Sequence, residues 1–467
     1  MTAPKRLDSH LMAAQSHLQA AHKAGETGLC AYLIALAAYQ RGLDVSFETF
    51  LGDDREYLGS HPDYNGNYLR ISDGKSVHVF DKSRGDLSKR VHTSAADSKT
   101  LSKKLFEHGN IKTPRGASFK PGNEAGVSRF LASSSADRFV VKPEQGSLGR
   151  GVHVGLTAED TRSVSTRQKA AFVIEEHISG SEYRVFVVGD RCVAAYERPA
   201  LQVRGDGISS IEALIDARNR QRALNPRTRS SLIDKLEVAA TLSRTGRSLD
   251  DIPHAFEPVT LSFVRNISAG GDNRDVTDTL PGLVGKAAVM ACNATGLPNC
   301  GVDIIHDEAA DVAYVLEVNS RPHLGAHSFP SLGAGAGNAV ADAILDHYFP
   351  RSARNERFPE LVIDIAAVKS ALASGQFRSL ACKRIEKGWI HRRIPLDASE
   401  SEVDGLLRQL RLVCIHVEKF SYSESRHVIN AFFLPRGFAG LVKTAKQNKM
   451  PVISREVDAI LFGRTKR

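Results

Sequence analysis

Cysteine is sparse and never closely paired: six residues, at 30, 192, 292, 300, 382 and 414, with no C-x-x-C spacing among them. This excludes a disulfide framework and a cysteine zinc site, and it predicts reduced thiols in a cytoplasmic protein. Long hydrophobic runs are missing too. The most apolar stretch, Leu29 to Tyr39, has the length of a buried helix and falls short of a membrane span. Met1 to Lys23 is polar and His-rich, without the apolar core of a signal peptide. Aromatic residues make up 7% and are not interleaved with basic ones, which disfavours base stacking and hence nucleic acid as a partner. What remains is an ordinary globular composition, 42% hydrophobic and 25% charged, over 467 residues. That length suffices for two to four domains with a sizeable core.

Charge is unevenly placed. Residues 351–467 hold 22 Lys+Arg against 12 Asp+Glu, whereas residues 1–350 hold 40 against 41. The net charge of +9 therefore belongs to the C-terminal quarter, which marks a separate unit. Such a surface attracts an acidic partner or substrate, or is a solvated face.

The chain is organised around Val140-Val141-Lys142-Pro143-Glu144-Gln145-Gly146-Ser147-Leu148-Gly149-Arg150-Gly151-Val152. A strand delivers a lysine at its end and runs into a loop of three glycines and a serine. Glycines let successive backbone N–H groups approach an anion, and lysine adds a point charge. No Gly-Lys-Ser/Thr closes the loop before a helix, so it is not a Walker A motif, and a plain hairpin is the bland alternative. Upstream, Asp97 to Gly109 reads as an amphipathic helix carrying Lys99, Lys103 and Lys104. Downstream, Phe172-Val173-Ile174-Glu175-Glu176-His177-Ile178 is an apolar strand that turns acidic at its end, followed by Ser181-Glu182-Tyr183-Arg184. Acidic residues there are either exposed or acceptors at the mouth of an apolar slot, suited to an adenine amino group and a ribose hydroxyl.

Phe263-Val264-Arg265-Asn266-Ile267-Ser268-Ala269-Gly270-Gly271-Asp272 is either a loop for polar ligands or a turn-rich connection. The strongest constellation follows. Gly301-Val302-Asp303-Ile304-Ile305 and Ala313 to Asn319 read as a hairpin that brings Asp303 to Glu317 and Asn319. Glu317 and Asn319, two apart, share one strand face, and three oxygen donors on one face suit Mg²⁺. No lysine or arginine partner for these carboxylates is evident from the sequence.

In this order the motifs resemble those of the ATP-grasp carboxylate–amine ligases, especially the ligase domains of cyanophycin synthetase and of bifunctional glutathione synthetases. The resemblance covers roughly residues 95–350. It implies an α/β (α+β) ATP-grasp fold, with an N-terminal α/β pre-domain over 1–94, a small lobe over 95–170 and a large lobe over 171–350. It implies ATP and Mg²⁺ as cofactors, with Mn²⁺ as a substitute. Lys99 and Lys142 would touch ATP phosphates, with Gly146, Ser147, Gly149 and Gly151 as the lid. Glu175 would face adenine, with the backbone of Glu176 to Ile178 lining the slot, and Glu182 would hold the ribose. Asp303, Glu317 and Asn319 would bind metal. Arg265, Asn266, Ser268 and Gly270 would lie near an acyl phosphate, and Arg321 near the substrate. Two departures stand out: Gly301 occupies a position where many peptide-forming relatives carry arginine, and Arg321-Pro322-His323 differs from the acceptor turn of cyanophycin synthetase.

The C-terminal unit, 351–467, reads as strand, helix, two strands, helix and strand. That βαββαβ order suggests a ferredoxin-like or acylphosphatase-like domain for docking, dimerisation or substrate capture. The expected activity joins a small-molecule or peptide carboxylate to an amine, with an acidic substrate or a homo-oligomer as uses of the basic tail. A non-catalytic nucleotide-binding regulator and an ATP-dependent phosphotransferase remain as alternatives.

Overall fold

The computed structural model describes residues 9–49, 66–144, 151–262, 266–267, 270–354, 363–375, 377, 379–382, 390–397, 399–413, 416–421 and 426–433. The chain divides into two compact units, one combining Met1–Val79 with Arg351–Arg467 and the other formed by Phe80–Pro350.

The first unit opens with α1 (Ser9–Gln40), which breaks at Gly25, where φ is 69°. Its second half is the apolar run of the sequence, and every residue from Leu29 to Tyr39 is buried. Strand β1 (Asp44–Glu48) pairs antiparallel with β2 (Tyr68–Ser72). Next, β3 (Val77–Asp81) carries the chain into the second unit, where Phe80 and Asp81 pair with β4 (Arg84–Gly85).

The second unit first builds α2 (Arg90–Asp97) and α3 (Lys99–His108). The helix expected over Asp97 to Gly109 is α3, which begins where the Ser98 side chain accepts the Leu101 N–H, and α2 precedes it as a further helix. There follow β5 (Gly116–Phe119), α4 (Glu124–Ala132), β6 (Phe139–Pro143), β7 (His153–Leu156), α5 (Ala158–Thr166) and β8 (Phe172–Glu176). The four strands form an antiparallel sheet in the order β5-β8-β6-β7, packed on α4 and α5 through Phe119, Val127, Leu131, Phe139, Val164 and Phe172. Helix α5, absent from the sequence reading, begins with a reciprocal Thr157–Asp160 capping box.

Four residues, 177–180, join β8 to β9 (Ser181–Val188), the centre of a second sheet. Then come β10 (Arg191–Glu197), β11 (Leu201–Arg204), α6 (Ile211–Leu224), α7 (Lys235–Ser243), β12 (Pro258–Ser262) and β13 (Arg274–Asp275). The unit closes with α8 (Gly282–Thr295), β14 (Asn299–Asp307), β15 (Val312–Asn319), α9 (Gly325–Ser328) and α10 (Ala339–Tyr348). The second sheet runs β13-β10-β9-β14-β15, while β11 and β12 pair separately over a small core with α6 and α7. Alternation divides its faces: Val185, Val187, Cys300, Val302 and Ile304 join the core that includes Val284, Ala288 and Ala291 of α8. At the intervening positions Arg184, Phe186 and Asp303 face the other way.

In the C-terminal segment α11 (Ile365–Ala373) contacts α1, where Lys369 Nζ donates to the Ala24 carbonyl (3.1 Å). Strand β16 (Ser379–Cys382) pairs antiparallel with β1, so the two ends of the chain share a sheet. Beyond it lie β17 (Ile390–Asp397), α12 (Glu400–Val413), β18 (His416–Ser421) and β19 (Arg426–Phe433), with β19 central and antiparallel to both neighbours. The third strand thus lies between the two that flank the helix. The expected last helix (438–448) and strand (451–454) lie outside the described residues. Among the described residues no helix is long and apolar enough to cross a membrane.

Candidate functional site

Two polar clusters lie on either side of the four-residue link between β8 and β9. The first gathers on the small sheet. Glu175 stands opposite Val140 on β6, so its side chain shares a face with Lys142 two residues on. Lys142 Nζ is 2.7 Å from Glu175 Oε2, and Lys103 Nζ from α3 is 2.9 Å from Oε1. Burial raises the Glu175 carboxyl, but Lys142 and then Lys103 outweigh it and hold it below its ordinary value. Burial in turn depresses the Lys103 ammonium, with Glu175 opposing. Gly116 on β5 makes room for this carboxylate, since a Cβ there would come within 2.7 Å of Glu175 Cγ.

Lys99 Nζ donates to the Glu144 carbonyl (3.3 Å), just past Lys142, and the Thr100 N–H reaches Glu144 Oε1 (3.0 Å). The start of α3 and the end of β6 are thereby held together. Glu176 turns aside: its Oε1 accepts from Ser134 Oγ (2.7 Å) and pairs with Arg115 Nη1 (3.2 Å). Its backbone N–H goes to the Arg115 carbonyl and that of His177 to Arg138, while Ile178 follows in the link. Gly151 has φ of 71°, a conformation that suits glycine. Gly146, Ser147 and Gly149 lie outside the described residues.

The second cluster crosses the large sheet as one rank of directly opposed residues: Tyr196 on β10, Arg184 on β9, Asp303 on β14 and Glu317 on β15. Asn319 sits one rank along, opposite Gly301. A β-bulge decides this placement. Ile304 pairs with Val315 while Asp303 pairs with Glu317, leaving Leu316 as the extra residue. Val315 can therefore enter the core while Glu317 and Asn319 face the site. Asn319 Nδ2 lies 3.2 Å from Glu317 Oε1 and 3.5 Å from Asp303 Oδ2.

For Asp303, where the sequence shows no cationic partner, the fold supplies two. Arg184 forks onto Asp303 through Nε and through Nη2, the latter 2.6 Å from Oδ2. Arg198, just beyond β10, reaches Asp303 Oδ1 with Nη2 (3.1 Å) and Glu182 Oε1 with Nη1. Burial pushes the Asp303 carboxyl up, yet Arg184 and Arg198 outweigh it and hold it low. Burial and the adjacent Asp303 push Glu317 up. A pair of neighbouring carboxylates in which one resists ionisation is a donor set that a divalent cation relieves.

Sequence reasoning missed Arg184, Arg198, Lys103 and His327. His327 is buried between Phe186 (ring centroids 5.5 Å) and Tyr196 (4.7 Å), and burial, then Arg184, His323 and Arg198, lower its pKa to about 3. An arginine two residues after a ligand-type glutamate on one strand, as in Glu182-Tyr183-Arg184, was the available signal.

Arg321 pairs with Asp81 (2.5 Å), and the Asn266 carbonyl accepts from the Gly271 N–H. Gly270 has φ of 87°, and Ile267 packs with Tyr196 and Ala326, so this loop borders the second cluster. Arg265 and Ser268 lie outside the described residues. Asp272 is buried and held by Arg222 Nη1 (2.9 Å) and Arg218 Nη2 (3.2 Å).

Residues 96–207 match the family of RimK-like ATP-grasp domains. The chain is 29% identical over 290 residues to the glutathione biosynthesis bifunctional protein GshAB of Desulfotalea psychrophila, a match covering 58% of this chain and 36% of that protein. For the protein of the same name from Clostridium perfringens the identity is 27% over 300 residues, covering 60% and 38%. The crystal structure of a bifunctional glutathione synthetase from Pasteurella multocida superposes with a TM-score of 0.49 at 24% identity, covering 61% of this chain and 40% of that one. The chain thus spans well under half the length of these relatives.

Proposed function

We propose that this chain, which carries a RimK-like ATP-grasp domain, is an ADP-forming ligase joining a carboxylate to the amine of an amino acid or peptide. One observation carries the reading. A lysine pair around a buried acceptor and an acidic donor set lie on two sheets joined by only four residues. The first suits a nucleotide and its phosphates, and the second the metal that accompanies them.

In this reading Lys142 and Lys99 bind ATP phosphates, with Lys103 beside Glu175 at the base end. Glu175 accepts from the adenine amino group, and Glu182 holds the ribose. Gly146, Ser147, Gly149 and Gly151 cover the phosphates. Asp303, Glu317 and Asn319 would hold Mg²⁺, or Mn²⁺ in its place, which would neutralise phosphate charge. Arg265, Asn266, Ser268, Gly270 and Arg321 line the substrate side. A carboxylate oxygen attacks the γ-phosphorus, the bond to ADP breaks, and an acyl phosphate forms. The amine then attacks the acyl carbon, loses a proton and expels phosphate. No side-chain nucleophile takes part; the protein positions reactants and excludes water.

The substrates are small-molecule or peptide acids and amines, and the reaction is placed in the cytoplasm. The test is ADP release with a panel of acids and amines, with the coupled product identified by mass spectrometry. ATP hydrolysis without a coupled product, or a phosphorylated product alone, would overturn the ligase reading.

A further inference from the structure

The ribbon of β11 and β12 ends in a tip that exposes apolar side chains. Four backbone hydrogen bonds zip the chain leaving β11 to the chain entering β12. Gly205 N–H donates to the Glu257 carbonyl (2.9 Å), Phe256 to Gly205 (2.8 Å), Gly207 to Pro253 (3.2 Å) and Ile211 to Asp251 (2.9 Å). Ile208, Ile252 and Phe256 therefore share this end of the ribbon, and they are 82%, 59% and 81% exposed. The small core beneath is filled by Val203, Ile211, Val259 and Leu261, among others, so these three side chains add nothing to it. Large apolar side chains gathered at one end, rather than scattered singly, mark an association site.

Phe256 is the sharper signal. Its φ is 65°, a left-handed conformation that is costly for a bulky side chain and open to glycine. Gly205 lets the two segments close on one another here, since a Cβ at 205 would fall 2.2 Å from the His254 carbonyl oxygen. The fold thus holds an aromatic ring on a strained backbone and leaves it in water, which stabilises nothing within the chain.

Charge narrows the occupant. Residues 205–212 and 248–257 hold Asp206, Glu212, Asp250, Asp251 and Glu257 and no lysine or arginine. Arg247 pairs with Glu257, and Lys235 with Glu212 and Asp216; among the described residues no ion pair reaches Asp206, Asp250 or Asp251. Arg204 at the rim donates to the Phe256 carbonyl (3.5 Å), which leaves the tip net acidic. Two such tips would repel each other, so the surface that covers this one is basic. Residues 351–467 of this same chain, with 22 Lys+Arg against 12 Asp+Glu, carry that excess.

We propose that the tip docks on a second copy of this chain, with the Phe256 ring seated on the other copy's basic C-terminal quarter and Asp206, Asp250 and Asp251 facing lysines and arginines there. The contact does not rest on the ligase reading.

Sedimentation velocity on the full chain reads the association. The wild type should self-associate by about 50 µM in low salt. Raising NaCl from about 50 mM to about 500 mM should weaken that association by about 5-fold or more. Phe256→Gly suits the left-handed backbone, so the chain should fold at least as well, yet loss of the ring should weaken association by about 10-fold or more. Zero-length carbodiimide cross-linking of mixed isotope-labelled and unlabelled chains identifies the partner surface. Mixed-isotope pairs should join Asp206, Asp250 or Asp251 to lysines within 351–467. A wild type that stays monomeric in low salt would overturn the proposal, as would association that Phe256→Gly leaves unchanged. So would mixed-isotope pairs that omit these three carboxylates or join them only to lysines outside 351–467. A dimer built tip to tip would also overturn it, and would show the opposite salt dependence, tightening as like charges are screened.

Discussion

Gly301 and Arg184 occupy adjacent strands such that the missing side chain of one is the resting place of the other. A Cβ at 301 would stand 2.8 Å from Pro322 Cβ and 3.1 Å from Arg184 Nη1. Gly301→Ala should therefore cost about 1–3 kcal/mol by overpacking and push Arg184 off Asp303. Denaturant unfolding measures the loss; unchanged stability would show that the sheet relaxes freely here.

Glu175 gives the β5-β8-β6-β7 sheet a pH dependence. Lys142 and Lys103 hold its carboxyl below the ordinary value of 4.5, so its ion pairs stabilise the fold above that value. The contribution is lost as pH falls through the depressed folded-state pKa. Glu175→Gln should destabilise at pH 7 and flatten the stability profile below about pH 4.5. Urea unfolding between pH 3 and 7 checks both, and parallel profiles for the two proteins would contradict the assignment.

Lys142→Met keeps much of the stem and removes the charge. If Lys142 meets nucleotide phosphates, ADP affinity should fall about 10-fold or more, the scale of a charge-assisted hydrogen bond. Direct binding of a fluorescent ADP analogue reads this without turnover, and equal affinity would remove Lys142 from the phosphate site.

Glu317→Gln keeps volume and removes one anionic metal ligand. Turnover should drop by at least about 100-fold while far-UV circular dichroism stays unchanged. Near-normal rates at saturating Mg²⁺ would sink the metal assignment.

Truncation near Arg351 removes β16, which pairs along β1 from Val45 to Glu48, together with Lys369 and its bond to Ala24. The N-terminal segment should then be cut by protease faster than in a chain ending after Cys382. Nucleotide binding should persist in both, since the nucleotide and metal residues named here lie within Phe80–Pro350. Equal proteolysis would mean that β16 adds nothing to β1.

Local pattern alone was enough to mark the hairpin of Asp303 with Glu317 and Asn319, the lysine at the end of β6 and the acidic end of β8. Each follows from strand alternation and turn chemistry within a few residues. The order β17, α12, β18, β19 in the C-terminal segment was legible for the same reason. What the sequence could not supply were partners distant along the chain. Arg184 and Asp303 are 119 residues apart, Arg198 and Asp303 105 apart. Lys103 reads as one more solvated helix lysine until α3 carries it to Glu175. The bulge at Leu316 is equally silent, because it exists only once β14 has chosen its register against β15. Residue type and spacing thus specified which groups could do chemistry. Tertiary packing decided which charges face one another, since burial turns an arginine that would otherwise be solvated into a partner of the carboxylate beside it.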